Sequence, residues 1–261
     1  MYTVKNYCMA SSLEEAYELI QKSRNNVIVG GNLWLRMGNR NINKLIDLSG
    51  LGLDRITETD EEFSVGCMVT LRQLEMHEAL NETFSDLYRK AVGHIVGVQF
   101  RNLATVGGSL FPRFGFSDVL TAFLACHTEV ELFHAGRIPV KDFAVMKPDR
   151  DILTGVHVKK DGLKIAYQSF RMTETDFPVL TCAVSRSGEE GPFSTVIGAR
   201  PQAAALVDDV VLVDPADPEA LNVYADEVIS RLTYGSNMRG GADYRKGLSK
   251  VLIRRCIEEL I

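Results

Sequence analysis

Two stretches of the sequence set paired glycines behind short apolar runs: Val27-Ile28-Val29-Gly30-Gly31-Asn32-Leu33-Trp34 and Ala104-Thr105-Val106-Gly107-Gly108-Ser109-Leu110. A backbone without Cβ atoms can bring consecutive N–H groups against an anion, and a diphosphate is a group that uses several such donors at once. Either pair alone also reads as an ordinary tight turn. Neither sits in a G-x-G-x-x-G between strand and helix, and G-x-x-x-x-G-K-[ST] is absent, so a Rossmann site and a P-loop are both excluded.

The other reactive residue types form no constellation. His77, His94, His127, His134 and His157 are dispersed, without the spacing of metal ligands. Cys8, Cys67, Cys126, Cys182 and Cys256 never form C-x-x-C and cannot supply an iron–sulfur or zinc site; small buried hydrophobes in a reducing compartment account for them. Ser109 and Ser117 lack a nucleophile elbow. Neither a catalytic residue nor a metal ligand is expected, and any chemistry falls to a cofactor. Ser117-Asp118 reads two ways, as a helix N-cap before Val119-Leu120 or as a polar pair facing a ligand, and its spacing from Gly108 favours the second.

Composition narrows the class. A net charge of −5 with no basic cluster argues against a nucleic-acid partner. Residues Met1 to Ala10 lack the apolar core of a secretory signal and no later run reaches membrane-spanning length, so a cytoplasmic chain with no membrane partner is expected.

The elements that would carry the glycine pairs follow from period and caps. A helix from Ser12 to about Ser23 opens on capping-box spacing, with Leu13, Ala16, Tyr17 and Ile20 on one face. Strands are expected at Val27–Val29 and Lys44–Leu48, then a hairpin of Arg55–Thr57 and Glu62–Gly66. Helices follow from Thr70, from Phe84 to Ile95 and from Ser117 to Ala125, with Gly97 to Gly108 as a loop between the last two. Strand alternation returns at Glu129–Phe133. From Asp151 onward, Ile152–Val158, Leu163–Phe170, Leu180–Ser185 and Phe193–Gly198 suggest three or four antiparallel strands, closed by helices at Glu219–Leu232 and Ala242–Leu260. Phe111, Phe114 and Phe116 are too many aromatics to expose in one loop, so they line a pocket or face a partner. Trp34 is expected to anchor its turn to the core, and Tyr167 and Phe170 to be core residues.

The order of signals, V-x-V-G-G near residue 30, R-N-x-A-T-V-G-G-S over 101 to 109, then Ser117-Asp118, Ile152-Leu153, Thr181-Cys182-Ala183-Val184 and Ile197-Gly198-Ala199-Arg200-Pro201, resembles the medium FAD subunits of carbon monoxide dehydrogenases and the FAD domain of xanthine dehydrogenases. This resemblance covers nearly the whole chain. It implies an α+β fold of the vanillyl-alcohol-oxidase (PCMH) type. Two α/β subdomains, about 1–57 and 58–155, would clasp FAD, and a C-terminal flavoprotein domain, 156–261, would add a three- to four-stranded antiparallel sheet plus helices. Ile28, Val29, Gly30, Gly31, Asn32, Leu33 and Trp34 would hold the pyrophosphate from one side. Ala104, Thr105, Gly107, Gly108 and Ser109 would hold it from the other, with Ser117, Asp118 and apolar Leu153 completing the FAD contacts. Departures stand at Asn32-Leu33-Trp34, where the family favours Thr or His and then Ser or Asp, at Ser109 for Asn, and at Tyr167-Gln168-Ser169, where a Lys is replaced.

By the same resemblance the chain would take electrons from a 2Fe-2S small subunit served by a molybdopterin-containing large subunit, and pass them from FAD to NAD or another acceptor. Two alternatives are a self-contained flavin reductase of the same fold and a structural subunit whose flavin site has degenerated.

Overall fold

The computed structural model describes residues 2–261. Its first unit is a three-stranded parallel sheet of β1 (Thr3–Met9), β2 (Asn26–Val29) and β3 (Asn41–Asp47), in the order β1-β3-β2. Parallel neighbours need crossovers. Helix α1 (Leu13–Lys22) links β1 to β2, and the short helix α2 (Leu33–Met37) links β2 to β3. Ser12 caps α1 by accepting the Glu15 N–H at 3.1 Å, and Ala16 and Ile20 turn inward to meet Ile46 and Leu48. Strand β1 went unread in the sequence because it is an exposed edge, with Lys5 and Asn6 interrupting its apolar alternation.

The second unit is an antiparallel sheet of β4 (Ile56–Glu58), β5 (Glu62–Gly66), β6 (Thr128–Leu132), β7 (Gly136–Pro139) and β8 (Leu153–Lys159), ordered β4-β5-β8-β6-β7. β8 lies at its centre, Val156 pairing with Val65 on one side and Val130 on the other, and all of Leu153–Val158 is buried. This corrects the expectation that Ile152–Val158 joins the later strands. It also means that a division at residue 155 passes through a strand.

Helices fill the stretch between β5 and β6. α3 (Leu71–Met76) starts at a capping box in which Thr70 and Gln73 exchange bonds of 3.1 and 2.8 Å. The helix expected over 84–95 is shortened to α5 (Leu87–Val92) and separated from a preceding α4 (Glu78–Thr83), because Ser85 and Asp86 adopt φ values of 55° and 59°, which no α-helix tolerates. The expected loop 97–108 holds two short helices, α6 (Val98–Arg101) and α7 (Val106–Leu110). Then come α8 (Asp118–Leu124) and, after β7, α9 (Val140–Val145).

The C-terminal unit is an antiparallel sheet of β9 (Leu163–Arg171), β10 (Pro178–Ser187), β11 (Phe193–Gly198) and β12 (Ala205–Val207), its fourth strand being Ala205–Val207. Period-two alternation sends its residues into two cores. Leu180, Cys182 and Val184 face α10 (Pro218–Ser230) and α11 (Ala242–Leu260), whereas Ile165, Tyr167 and Ala183 face the core of the other units. The outcome is the expected α+β architecture. No helix among the described residues is long and apolar enough to cross a membrane.

Candidate functional site

A cleft of about 720 Å³ runs between the first two units and reaches the start of β10, a size usual for a bound organic cofactor. Ile28, Val29, Gly30, Gly31, Asn32, Leu33, Trp34, Ala104, Thr105, Gly107, Gly108, Ser109, Ser117, Asp118 and Leu153 all border it. The residues singled out in the sequence are therefore brought to one place.

The two glycine pairs meet through one residue. A Cβ on Gly30 would fall 2.5 Å from the Thr105 hydroxyl oxygen, and one on Gly31 would fall inside the Leu103 carbonyl oxygen. Behind them, a Cβ on Gly107 would lie 2.9 Å from both Cβ and O of Cys67. Gly31 and Gly107 are thus needed for close approach of backbone to backbone, and Gly30 for room beside the Thr105 hydroxyl; none of the four has a positive φ.

Their roles differ. Thr105 N-caps α7, its hydroxyl accepting the Gly108 N–H at 3.1 Å. The Val106, Gly107 and Ser109 N–H groups donate to Val69 O, Cys67 O and Thr105 O at 2.8, 2.8 and 3.1 Å. The second pair therefore sits in the first turn of a helix with its donors already committed, not in a turn with donors to spare. By contrast, no hydrogen bond among the described residues uses the N–H of Gly30, Gly31, Asn32 or Leu33. Asn32 has φ 59° and ψ 20°, which turns the chain sharply into α2. Its Nδ2 donates to Tyr2 Oη at 2.7 Å, while its Oδ1 is buried with no partner.

These observations test the fit of a dinucleotide. A Cβ-free cradle, unused consecutive amides and an orphaned buried acceptor suit a diphosphate with an adjoining hydroxyl-bearing group. Leu33 lacks a polar side chain, but its backbone N–H is unused.

Ser117 is the N-cap of α8, accepting the Leu120 N–H at 3.1 Å and donating to Ser109 O at 3.2 Å. Asp118 is buried against its own chain: one carboxylate oxygen accepts the Tyr167 hydroxyl at 2.7 Å and Arg171 at 2.5 Å. Burial pushes its pKa up, and the Arg171 charge and these hydrogen bonds oppose that rise. Tyr167 is a core residue, as expected, with its hydroxyl pushed well up by the same burial and by Asp118.

Trp34 departs from expectation. It is 43% exposed at the cleft rather than anchored in the core. Its ring lies 5.4 Å from Phe116, 5.5 Å from Phe177, 6.0 Å from Phe114 and 6.4 Å from Phe100. Phe114 and Phe116 stack at 5.0 Å, and with Phe111 they line the cleft. Sequence reading missed Arg171 and Phe177. The Asp176-Phe177-Pro178 turn ahead of β10 was the available signal, because Pro178 fixes the chain just where the aromatic enters the cleft. No group of three or more His, Cys, Asp or Glu suited to a metal occurs among the described residues.

Comparison with known proteins extends over nearly the whole chain. Over 97% of its length the chain is 25% identical to the nicotine 6-hydroxylase medium subunit of Paenarthrobacter nicotinovorans, covering 96% of that protein. It is 22% identical to the xanthine dehydrogenase FAD-binding subunit of Escherichia coli O157:H7, with 100% and 97% of the two chains covered. Among solved structures, a chain of quinoline 2-oxidoreductase from Pseudomonas putida 86 superposes with a TM-score of 0.88 at 19% identity, covering 100% of this chain and 98% of that one. A chain of carbon monoxide dehydrogenase from Hydrogenophaga pseudoflava superposes with a TM-score of 0.87 at 19% identity, covering 99% and 97%. The family model described as the FAD binding domain in molybdopterin dehydrogenase matches residues 2–159. The chain therefore belongs to the family of FAD-binding domains of molybdopterin dehydrogenases, and FAD is its cofactor.

Proposed function

We propose that this chain is the electron-transfer subunit of a multi-subunit molybdenum hydroxylase, taking electrons from a 2Fe-2S subunit and passing them from FAD to NAD or another acceptor, while a molybdopterin-containing large subunit transforms the substrate. The observation that carries this reading is the meeting of Gly30-Gly31 with Leu103–Thr105, which leaves consecutive N–H groups of the first turn without partners. Those unused donors weigh against a degenerate flavin site.

Each residue's part follows from its place. The N–H groups of Gly30 to Leu33 would bind the diphosphate, and Asn32 Oδ1 would accept from an adjoining hydroxyl. The Thr105–Gly108 turn holds that cradle in position from behind. Asp118 and Arg171 hold a buried polar junction beside the cleft, and Trp34, Phe116 and Phe177 would exclude water from a planar ring bound against them. Bound FAD supplies redox chemistry that none of these side chains possesses. A cytoplasmic location belongs to the same reading, since all five cysteines are free.

An absorbance spectrum of the purified chain, before and after incubation with FAD, tests the reading. Flavin bands that survive gel filtration support it. A colourless product would favour a structural subunit, and substrate reduction by the isolated chain would favour a self-contained reductase.

A further inference from the structure

Residues 146–151 link α9 to β8 without helix or strand and pass along one end of the flavin cleft. There Pro148, Asp149 and Arg150 border it together with Ile20 and Arg24 from the end of α1. Both ends of this strap are fixed. Met146 N donates to Asp142 O and Phe143 O at 3.1 and 3.2 Å, and the Asp151 carboxylate accepts the His134 and Ala135 N–H groups at 3.0 and 2.9 Å. Among the described residues, the strap's hydrogen bonds to the first unit all run through Arg150. Its guanidinium donates to Ile20 O and, at 2.7 Å, to Ser23 O, and its own carbonyl accepts Gln21 Nε2 at 2.9 Å. These carbonyls close α1, whose last turn has no intrahelical donors for them, and a cation suits that end of the helix dipole.

A dinucleotide gripped by its diphosphate at Gly30 to Leu33 extends in both directions. The four residues of β2 set the cradle roughly 13 Å from the end of α1, at about 3.3 Å each, so one half of the cofactor lies on the strap's side. The cleft is fixed in its middle, where Gly31 abuts the Leu103 carbonyl, and its other end is lined by rings in contact, Phe116 and Phe177 having centroids 4.5 Å apart. The strap is held by hydrogen bonds close to solvent, and segments of that kind open first. Behind it Tyr17 stacks on His134, 5.5 Å between ring centroids, and keeps α1 against the second unit while the strap swings. We propose that the Arg150 strap is the gate of the flavin cleft, opening to let FAD in or out and shutting over one half of the bound molecule. The proposal rests on the reading that FAD fills this cleft, and adds how it enters. The bonds that close the strap join protein to protein, not protein to cofactor. Loosening them therefore speeds entry and exit alike and leaves affinity nearly unchanged.

The test follows FAD uptake by the full chain in stopped flow, read by the flavin's own fluorescence, and FAD release into an excess of a second apoflavoprotein as trap. Absorbance after gel filtration comes first: a chain that retains no FAD overturns the flavin reading before any rate is measured. In the parent chain the uptake rate should level off as FAD is raised, because opening becomes limiting. Arg150→Ala should raise the association and dissociation rates alike by about tenfold, the scale of one or two net hydrogen bonds. Its dissociation constant should stay within about threefold of the parent's. Arg150→Lys keeps the charge but loses the planar fork, and should fall between the two. Gln21→Ala leaves Arg150 in place and should move both rates the same way by a smaller factor. An uptake rate that stays proportional to FAD throughout, faster release with unchanged uptake, or rates that ignore Arg150 each overturn the gate and leave the flavin reading intact. If Arg150→Ala does not fold, Gln21→Ala and the saturation curve of the parent chain decide alone.

Discussion

The Thr105 hydroxyl oxygen stands 2.5 Å from where a Cβ on Gly30 would be, and the same oxygen accepts the Gly108 N–H at 3.1 Å. One atom therefore sets the distance between the two glycine pairs. Gly30→Ala should weaken FAD binding about tenfold, roughly 1.4 kcal/mol. Thr105→Ala removes the obstructing group at the expense of a helix cap, about 1 kcal/mol of stability. The double variant should then bind FAD better than the two single losses added together. Gly31→Ala should gain nothing from Thr105→Ala, since its obstruction is the Leu103 backbone. FAD titrations with urea midpoints check the cycle; strict additivity for Gly30 and Thr105 would remove the proposed contact.

Arg101 reaches both carboxylate oxygens of Glu75, at 2.7 and 3.1 Å, and so fastens α6 and the following Leu103 carbonyl to α3. Both side chains are largely buried, and breaking such a pair costs up to about 3–5 kcal/mol, less here because Arg72 also reaches Glu75 at 3.0 Å. Arg101→Lys cannot reproduce the two-pronged contact. It should lower stability toward that range and, by releasing Leu103, weaken FAD binding as well. Lower urea midpoints without any change in FAD affinity would separate α6 from the cradle.

The same pair has a pH signature. Burial acts to raise the Glu75 pKa, but hydrogen bonds from Arg101 and Arg72 outweigh it and hold the group below the usual glutamate range. A lowered folded-state pKa means stability that is fully present above the unfolded value, about 4.3, and is lost as pH falls below it. Glu62, held down by Arg137, and Asp176, held down by Arg239, act in the same direction. Glu75→Gln should therefore reduce, without abolishing, the fall in urea midpoint between pH 6 and pH 3. An unchanged slope would show that Glu75 does not contribute.

What the sequence revealed and concealed has a physical pattern. Val27–Val29 and Leu163–Phe170 were legible because β-branched and aromatic runs between turn residues have few other uses. The edge strand Thr3–Met9 was not, since its alternation is mostly polar, and Val98–Arg101 and Val106–Leu110 are too short to show a helical period. Glycine pairs marked the cradle, yet which amides stay free depends on Cys67 and Val69 carbonyls supplied from a distant segment, and sequence carries no sign of that. Strand Leu153–Lys159 was recognised as a strand but given to the wrong sheet, because its partners Val65 and Val130 are set by packing alone. Arg171 and Phe177 reach the cleft by the same long-range assembly.

Thiol reactivity should report the same burial. Burial pushes the Cys67 and Cys126 thiols up to about 12, and Cys182 well above its usual value, so little thiolate forms at these sites near neutral pH. Cys8 alone is half-exposed, on the edge strand. Iodoacetamide at pH 8 should alkylate Cys8 in the native chain and the other four only after unfolding, as peptide mass mapping would show. Rapid labelling of Cys67 would mean that the Gly107 contact opens in solution.

Trp34 is the only tryptophan, and it stands at the cleft between Phe116 and Phe177. Its emission therefore reports on one place. Flavins absorb where indole emits, so FAD entering the cleft should quench most of the Trp34 fluorescence in step with the growth of bound-flavin absorbance. Trp34→Phe keeps an aromatic face and should bind FAD within about threefold of the parent while losing the signal. Trp34→Ala opens the wall to water and should bind about tenfold more weakly, roughly 1.4 kcal/mol. If absorbance shows flavin bound but Trp34 emission is unmoved, the isoalloxazine lies away from the aromatic wall. Its neighbours would then have to be sought near Ile152 and Leu153, at the other part of the cleft's lining.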